Sequence, residues 1–357
     1  MEARRIRKIK VLVIDDSALV RDILVRGLSG DSGIEVVGAA EDVFHGRDMI
    51  IKHRPDVLTL DIEMPRMDGI EFLRKLMPQY PIPVLVVSSL TQKGKEITLQ
   101  ALESGAVDFV PKPSKDIARG LREMMIELRT KVKIAANANV SHWKGKQFES
   151  VQARRPVKSA ALAESTDKVI AIGASTGGTE AIKKVIMNLP PTTPGIVVVQ
   201  HMPAGFTKTF AERLNQQSLM NVKEAQTGDR ILTGRVLIAP GDFHLKVVRS
   251  GGRYEVVCFM DDKVNGHRPS VDIMMYSVAA NVGANAFGVM LTGMGSDGAK
   301  GMKAMKDAGA YNLGQDEISS VVYGMPKVAW DLGGIHKQLP LDRIGNELIR
   351  VIKIAVN

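Results

Sequence analysis

At 357 residues the chain is long enough for two domains with separate cores, and 45% hydrophobic with 24% charged residues is the balance of an ordinary globular protein. One cysteine, Cys258, excludes an internal disulfide and is expected buried in a strand. No apolar run reaches the length of a membrane span, and Val11–Ile14 behind the basic start is too short for a signal-peptide core, so cytoplasm without membrane insertion is the expectation. The net charge of +9 sits mainly in residues 1–10 (+4) and 131–168 (+5), against −4 for residues 11–130 and +4 for 169–357; with 4% aromatics and no strongly basic helix, this is a poor footprint for nucleic acid.

Behind the basic tail (residues 1–10), residues 11–130 alternate strand-like and helix-like segments, the pattern of an open parallel sheet. Strands are predicted at Val11–Ile14, Ile34–Ala39, Val57–Leu60, Val84–Val87 and Asp108–Val110, with helices between them, among them Ala18–Ser29 and Gly69–Met77. In such sheets functional groups gather at the carboxyl edge of the strands. The strand ends carry Asp15 and Asp16, then Asp61, then Ser88 and Ser89, and Lys112 follows the last. Three carboxylates at one edge repel unless a divalent cation or a lysine offsets them, and an oxygen-rich site with few protein ligands suits Mg²⁺. Each part also has a bland reading: Asp16 as a helix cap, Asp61 as a strand end, Met64–Gly69 as a turn. All of these together at successive strand ends are harder to dismiss.

Over its whole length this region resembles the receiver domain of two-component response regulators. The matching pieces are Val11-Leu-Val-Ile-Asp-Asp-Ser17, Asp61-Ile-Glu-Met-Pro-Arg-Met-Asp-Gly69, Val86-Val-Ser-Ser89 and Phe109-Val-Pro-Lys-Pro113. The resemblance implies a flavodoxin-like fold in which Asp61 accepts phosphate from a chemotaxis histidine kinase. It implies Mg²⁺ on Asp16, Asp61 and the carbonyl of Glu63, with Asp15 assisting through water. Lys112 would pair with the acyl phosphate, Ser88 would be the hydroxyl switch and Phe109 the aromatic switch.

Residues 131–167 have few large apolar residues and no convincing period, and read as an interdomain linker whose start can extend the preceding helix. From Val169 the strand–loop–helix pattern returns. Val169–Ile172 leads into Gly173-Ala-Ser-Thr-Gly-Gly178 and a helix over Thr179–Asn188. A Gly-x-Ser-x-Gly between strand and helix presents a serine hydroxyl beside free helix N–H groups. Ser175 can thus be a nucleophile, a helix cap, or part of a phosphate cradle. A dinucleotide site fits poorly, because Ser175 stands where the second glycine of that fingerprint belongs.

The next strand, Ile196–Val199, ends in Gln200-His201. A right-handed crossover makes the two strands parallel, and adjacent strands lie about 4.8 Å apart, which brings Ser175 and His201 within reach. A third strand, Gly288–Thr292, runs into a glycine-rich loop bearing Asp297 before a helix at Ala299–Ala308; alone, Asp297 reads as an N-cap. Together the three have the chemistry of a hydrolytic triad. The order Ser, His, Asp differs from that of α/β-hydrolases, which points to another doubly wound fold. His244 is expected to pack near a strand start, and His267 is the rival of His201 or a substrate contact.

Residues 168–357 resemble the catalytic domain of the chemotaxis-specific protein-glutamate methylesterase family. The motifs are Gly173-Ala-Ser-Thr-Gly-Gly178, Gln200-His-Met-Pro203, Ala239-Pro-Gly241, His267-Arg-Pro-Ser-Val-Asp272, Thr292-Gly-Met-Gly-Ser-Asp-Gly298, and Gln315-Asp-Glu with Gly324-Met-Pro326. The resemblance assigns the triad to Ser175, His201 and Asp297 and backbone oxyanion donors to Thr176 and Met294, with His267 and Arg268 as candidate substrate contacts. Ser296 departs from the Asn expected in many relatives. The implied fold class is α/β with two doubly wound parallel-sheet domains, a flavodoxin-like receiver and a Rossmann-like esterase. The implied activity is demethylation of glutamyl methyl esters, and deamidation of selected glutamines, on chemoreceptor cytoplasmic domains. No cofactor is expected for the esterase, and the enzyme is expected to be a monomer. The unphosphorylated receiver is expected to cover the Ser175 cleft, with phosphate on Asp61 loosening that cover. A transcription factor is disfavoured by the large output region, and a dinucleotide-binding module by its altered glycine pattern.

Overall fold

A computed structural model describes residues 7–113, 117–147 and 167–354, and the chain divides into two units, Met1–Glu149 and Ser150–Asn357. In the first unit the order is β1 (Ile9–Ile14), α1 (Ala18–Ser29), β2 (Ile34–Ala40), α2 (Val43–His53), β3 (Val57–Leu60), α3 (Gly69–Gln79), β4 (Val84–Ser88), α4 (Gln92–Glu103), β5 (Asp108–Pro111) and α5 (Ile117–Ala135). The strands pair in parallel in the order β2-β1-β3-β4-β5. Helices cover both faces, which is why β1, β3 and β4 are near-continuous apolar runs; Val11, Leu12, Val13, Leu58 and Leu85 are fully buried. Side-chain oxygens of Ser17, Asp42, Asp68 and Thr91 accept first-turn N–H groups of α1 to α4. Ser17 is therefore the cap of α1, and Asp16 is left exposed.

Two boundaries differ from expectation. The sheet starts at Ile9, inside the stretch read as a basic tail, where the Lys10 N–H donates to Asp56 and Arg7 pairs with the same carboxylate. At the other end, residues 131–147, expected in the linker, pack on this unit. Val132, Ala135, Val140 and Trp143 are buried, the Gly145 N–H donates to the Pro78 carbonyl, and Lys146 lies 3.7 Å over the Trp143 ring. Val132 and Ala135 continue the buried stripe of α5, the expected extension of the helix, while Val140 and Trp143 anchor the chain beyond it at no regular period. The rest of the expected linker, residues 148–166, lies outside the described residues.

In the second unit the order is β6 (Val169–Ala174), α6 (Gly178–Met187), β7 (Gly195–Gln200), α7 (Phe206–Gln217), β8 (Asn221–Glu224), β9 (Arg235–Ile238), β10 (His244–Ser250), β11 (Arg253–Phe259), α8 (Val271–Asn281), β12 (Ala286–Met290), α9 (Ala299–Asp307), β13 (Tyr311–Gln315), α10 (Met325–Asp331), β14 (Lys337–Leu339) and α11 (Leu341–Ile354). Seven strands form a parallel sheet in the order β14-β13-β12-β6-β7-β9-β8, while β10 and β11 form a separate antiparallel hairpin. Cys258, on β11, is half-buried rather than buried.

Both sheets start from an inner strand and reverse direction beside it. The chain crosses from β2 past β1 to β3 in the first unit and returns to β12 on the far side of β6 in the second. Ligand crevices of open α/β sheets form outside the carboxyl ends of strands at such reversals. The candidate residues lie there: Asp15, Asp16 and Asp61 beyond β1 and β3, Ser175 and Asp297 beyond β6 and β12.

Candidate active site

The pairing of β6 with β7 sets Ala174 opposite Gln200, so Ser175 and His201 leave adjacent strands side by side; the His201 N–H donates to the Ala174 carbonyl at 3.2 Å. Gly177, with φ of 75°, turns the chain straight from Ser175 into α6. On the other side the Ser175 N–H donates to the Thr292 carbonyl at 3.0 Å, and a Cβ on Gly293 would come within 2.7 Å of Ser175 Cβ. Glycine at 293 is what lets the β12 loop lie against the serine. That loop carries Met294, which is half exposed, while Thr176 is buried and its carbonyl accepts from Thr292 Oγ1 at 3.0 Å.

Asp297 is 2% exposed and saturated with donors. Its Oδ2 takes His201 Nε2 at 2.8 Å and the Val271 N–H at 2.6 Å; its Oδ1 takes Ser270 Oγ at 2.7 Å, Asn265 Nδ2 at 2.8 Å and the Asp272 N–H at 3.3 Å. Two of these are orphan N–H groups at the start of α8, where the helix dipole favours an anion. Burial alone would raise its pKa, but the hydrogen bond and charge of His201, with Asn265 and Ser270, hold the carboxyl far below the ordinary carboxylate range.

An ionised carboxylate only accepts, so His201 Nε2 carries the hydrogen and Nδ1 is the basic nitrogen. Nδ1 is buried and without a hydrogen-bond partner. The structure thus joins His201 to Asp297 and sets Ser175 on the neighbouring strand end; no hydrogen bond links the Ser175 hydroxyl to the imidazole. An acceptor nitrogen, oriented by a carboxylate beside a serine hydroxyl, is the arrangement that activates a serine for attack on a carbonyl.

His267 stacks on the His201 ring, with centroids 3.7 Å and planes 7° apart, so one face of its ring is covered by His201. Arg268 donates from Nη1 to the Asp261 carbonyl, and its Nε is buried without a partner. His244 is buried at the start of β10, as expected: Nδ1 accepts the Ser270 N–H and Nε2 donates to the Asp262 carbonyl. Ser296 is exposed and only its carbonyl, accepting from Ala299, shapes the Asp297 loop. Burial pushes the Cys258 thiol up to about 11, which removes it as a competing nucleophile. The donors Asn265, Ser270 and the start of α8 were not among the expected residues. The signals for them were present as an Asn-Gly turn and a serine just before an apolar helix.

In the first unit, ligand atoms of Asp15, Asp16 and Asp61 lie within 4.8 Å of one another. Lys112 Nζ donates to Asp61 Oδ2 at 2.5 Å and Asp15 Oδ2 at 3.1 Å. Burial, with the Asp61 charge, raises the Asp15 carboxyl above its usual range although Lys112 opposes this; burial would lower the Lys112 ammonium, but Asp61 and then Asp15 hold it raised. Glu63 donates its N–H to Asp61 Oδ1 at 3.1 Å and accepts Ser89 Oγ on its side chain. Ser88 is buried, 2.6 Å from Thr98 Oγ1. Phe109 is buried under Lys131, whose Nζ donates to the Phe109 carbonyl at 2.6 Å. An all-oxygen set of carboxylates with one lysine for charge balance fits a hard divalent cation such as Mg²⁺.

Residues 11–123 match the response regulator receiver domain, and residues 170–348 match the CheB methylesterase domain. A protein-glutamate methylesterase/protein-glutamine glutaminase of Syntrophotalea carbinolica is 64% identical over 97% of this chain and 98% of its own. A protein-glutamate methylesterase/protein-glutamine glutaminase 2 of Pseudomonas aeruginosa is 51% identical over 96% of each. The crystal structure of the Thermotoga maritima CheB methylesterase catalytic domain, 42% identical, superposes with a TM-score of 0.51, covering 52% of this chain and 98% of that one. With its receiver and methylesterase domains in that order, the chain belongs to the protein-glutamate methylesterase/protein-glutamine glutaminase family.

Proposed function

We propose that the chain is a phosphorylation-activated serine hydrolase that demethylates glutamyl methyl esters, and deamidates selected glutamines, on chemoreceptor cytoplasmic domains. The single observation that carries the reading is the Asp297-bound imidazole, with its basic Nδ1 buried and unpaired at the strand end beside Ser175.

Ser175 Oγ attacks the γ-carbonyl of the ester while His201 Nδ1 takes the hydroxyl proton; the tetrahedral oxyanion lies against the backbone N–H groups of Thr176 and Met294. The imidazolium then returns its proton to the departing oxygen and methanol leaves. Water, deprotonated by the same nitrogen, attacks the acyl-serine and releases glutamate. With a glutamine side chain ammonia leaves in place of methanol, and the rest is unchanged. His267, stacked on His201, and its chain neighbour Arg268 are the substrate contacts in this reading.

At the receiver, Asp61 takes a phosphoryl group from a histidine kinase. Asp15, Asp16, Asp61 and the Glu63 carbonyl would hold Mg²⁺, which offsets negative charge during phosphoryl transfer. Lys112 follows the charge from the free carboxylate to the acyl phosphate. Ser88 turns its hydroxyl toward the new phosphoryl oxygens and Phe109 repositions, a local charge change with a packing readout. The test is methanol release from methylated receptor fragments with and without acetyl phosphate. Ser175→Ala is expected to abolish release in both, and an active alanine variant would end the serine-hydrolase reading.

A further inference from the structure

The loop between β11 and α8 closes on itself at Val264 and His267, whose N–H groups each donate to the other's carbonyl, at 3.1 and 2.9 Å. Between them Asn265 and Gly266 have φ of 53° and 82°, the left-handed pair of a two-residue Asn-Gly turn. From this turn two side chains reach the catalytic pair. His267 covers a face of the His201 ring. Asn265 directs its amide inward and donates to Asp297 Oδ1 and to Asp272 Oδ2, each at 2.8 Å.

Asp272 is a second buried carboxylate at the start of α8, and its Oδ1 accepts the Gly301 N–H at 2.7 Å. Burial raises its carboxyl above the ordinary range; the Gly301 N–H opposes that, and the nearby charge of Asp297 adds to it. Two carboxylates held this close tend to turn apart. The Asn265 NH₂ group is the one side-chain donor among the described residues that is hydrogen-bonded to both.

We propose that Asn265 is a positioning residue for the hydrolase, an inference that rests on the triad reading above. By spanning Asp272 and Asp297 it fixes Oδ1 of Asp297, so that Oδ2 stays aimed at His201 Nε2. Without the amide, Asp272 Oδ2 loses this donor. Asp297 keeps Ser270, the two α8 N–H groups and His201 but loses the tie that holds Oδ1 against the repulsion of Asp272, so its aim at the imidazole loosens.

A purely conformational role for Asn265 in the left-handed turn makes a different prediction. Glycine adopts φ near 53° without strain, so Asn265→Gly keeps the turn and removes only the amide. Measured on the full chain with a methylated receptor fragment, Asn265→Gly is expected to lower kcat about tenfold with KM unchanged. Asn265→Asp, nearly isosteric, puts a third carboxylate against the pair and is expected to lower kcat further. The rate of Ser175 labelling by a fluorophosphonate ester, which needs no receptor docking, is expected to fall in the same order while both variants keep cooperative thermal unfolding. Wild-type kcat and labelling in Asn265→Gly, a loss confined to KM, or an Asn265→Asp variant as active as wild type would each overturn the proposal. Failure of wild type itself to label at Ser175 would overturn the triad reading along with it.

Discussion

Both units place buried aspartates where a parallel sheet reverses direction, yet they balance that charge in opposite ways. Around Asp297 five donors converge, two of them the free N–H groups of a helix start, and the carboxyl is held far below its ordinary range. Around Asp15 and Asp61 one lysine serves two carboxylates, and the Asp15 carboxyl stays raised. A site whose charge is already satisfied can hold one imidazole in one tautomer, turnover after turnover. On the proposed reading, a site short of positive charge is completed by a cation, which then also offsets the charge of an incoming phosphoryl group. In that reading the same strand-end position makes a fixed catalyst in one unit and a responsive switch in the other.

The sharpest way to break this comparison is at the hydrolase. Ser175→Ala is expected to lower methanol release by about 10⁴-fold or more. Asp297→Asn keeps the shape but presents an amide N–H or a neutral acceptor to His201, favouring the wrong tautomer; a loss of about 10³ to 10⁴ in kcat is expected. A loss below tenfold would mean that the imidazole is not held by this carboxylate. At the receiver the expected effect is smaller and conditional. Asp61→Ala, or chelation of divalent cations with EDTA in the wild type, is expected to remove stimulation by acetyl phosphate and leave basal methanol release within about twofold. Basal hydrolysis abolished by EDTA would contradict the claim that the serine site is complete without a cation.

The sequence is informative about each site in proportion to how local its chemistry is. The carboxylates of the receiver follow strands that are continuous apolar runs, so Asp15, Asp16, Asp61 and Lys112 are placed by counting strand ends. Ser175, His201 and Asp297 follow from the same rule. What surrounds Asp297 does not, because Asn265, Ser270 and the start of α8 come from an excursion through the β10–β11 hairpin and meet it across 25 to 32 residues of chain. Short polar β8 (Asn221–Glu224) shows no alternation that separates it from a loop. Of the packed segment after residue 130, Val132 and Ala135 continue the helical stripe of α5 and are legible as its extension, whereas Val140 and Trp143 lie beyond the helix at no regular period, and only the receiver's surface gives them a partner.

The finest test of the comparison is stability against pH, where the two kinds of carboxylate predict opposite signs. Asp297 has a folded pKa below its unfolded value near 3.8, so it contributes stability at all pH above that value and loses it as pH falls below. Asp297→Asn is then expected to lower the melting temperature at pH 7, with the difference shrinking below pH 4. Asp15 has a folded pKa above 3.8, so the wild type loses stability as pH rises through that folded value. Asp15→Asn removes the buried charge and keeps an oxygen for the Ser17 N–H, and in chelated, metal-free protein it is expected to gain about 1 kcal/mol at pH 7. Added Mg²⁺ should erase or reverse that gain, since the cation stabilises only the protein that keeps the carboxylate. Differential scanning calorimetry from about pH 2 to 8, with EDTA or Mg²⁺, reads both variants. A destabilising Asp15→Asn in EDTA would show that Lys112 already satisfies the receiver site as fully as α8 and His201 satisfy Asp297.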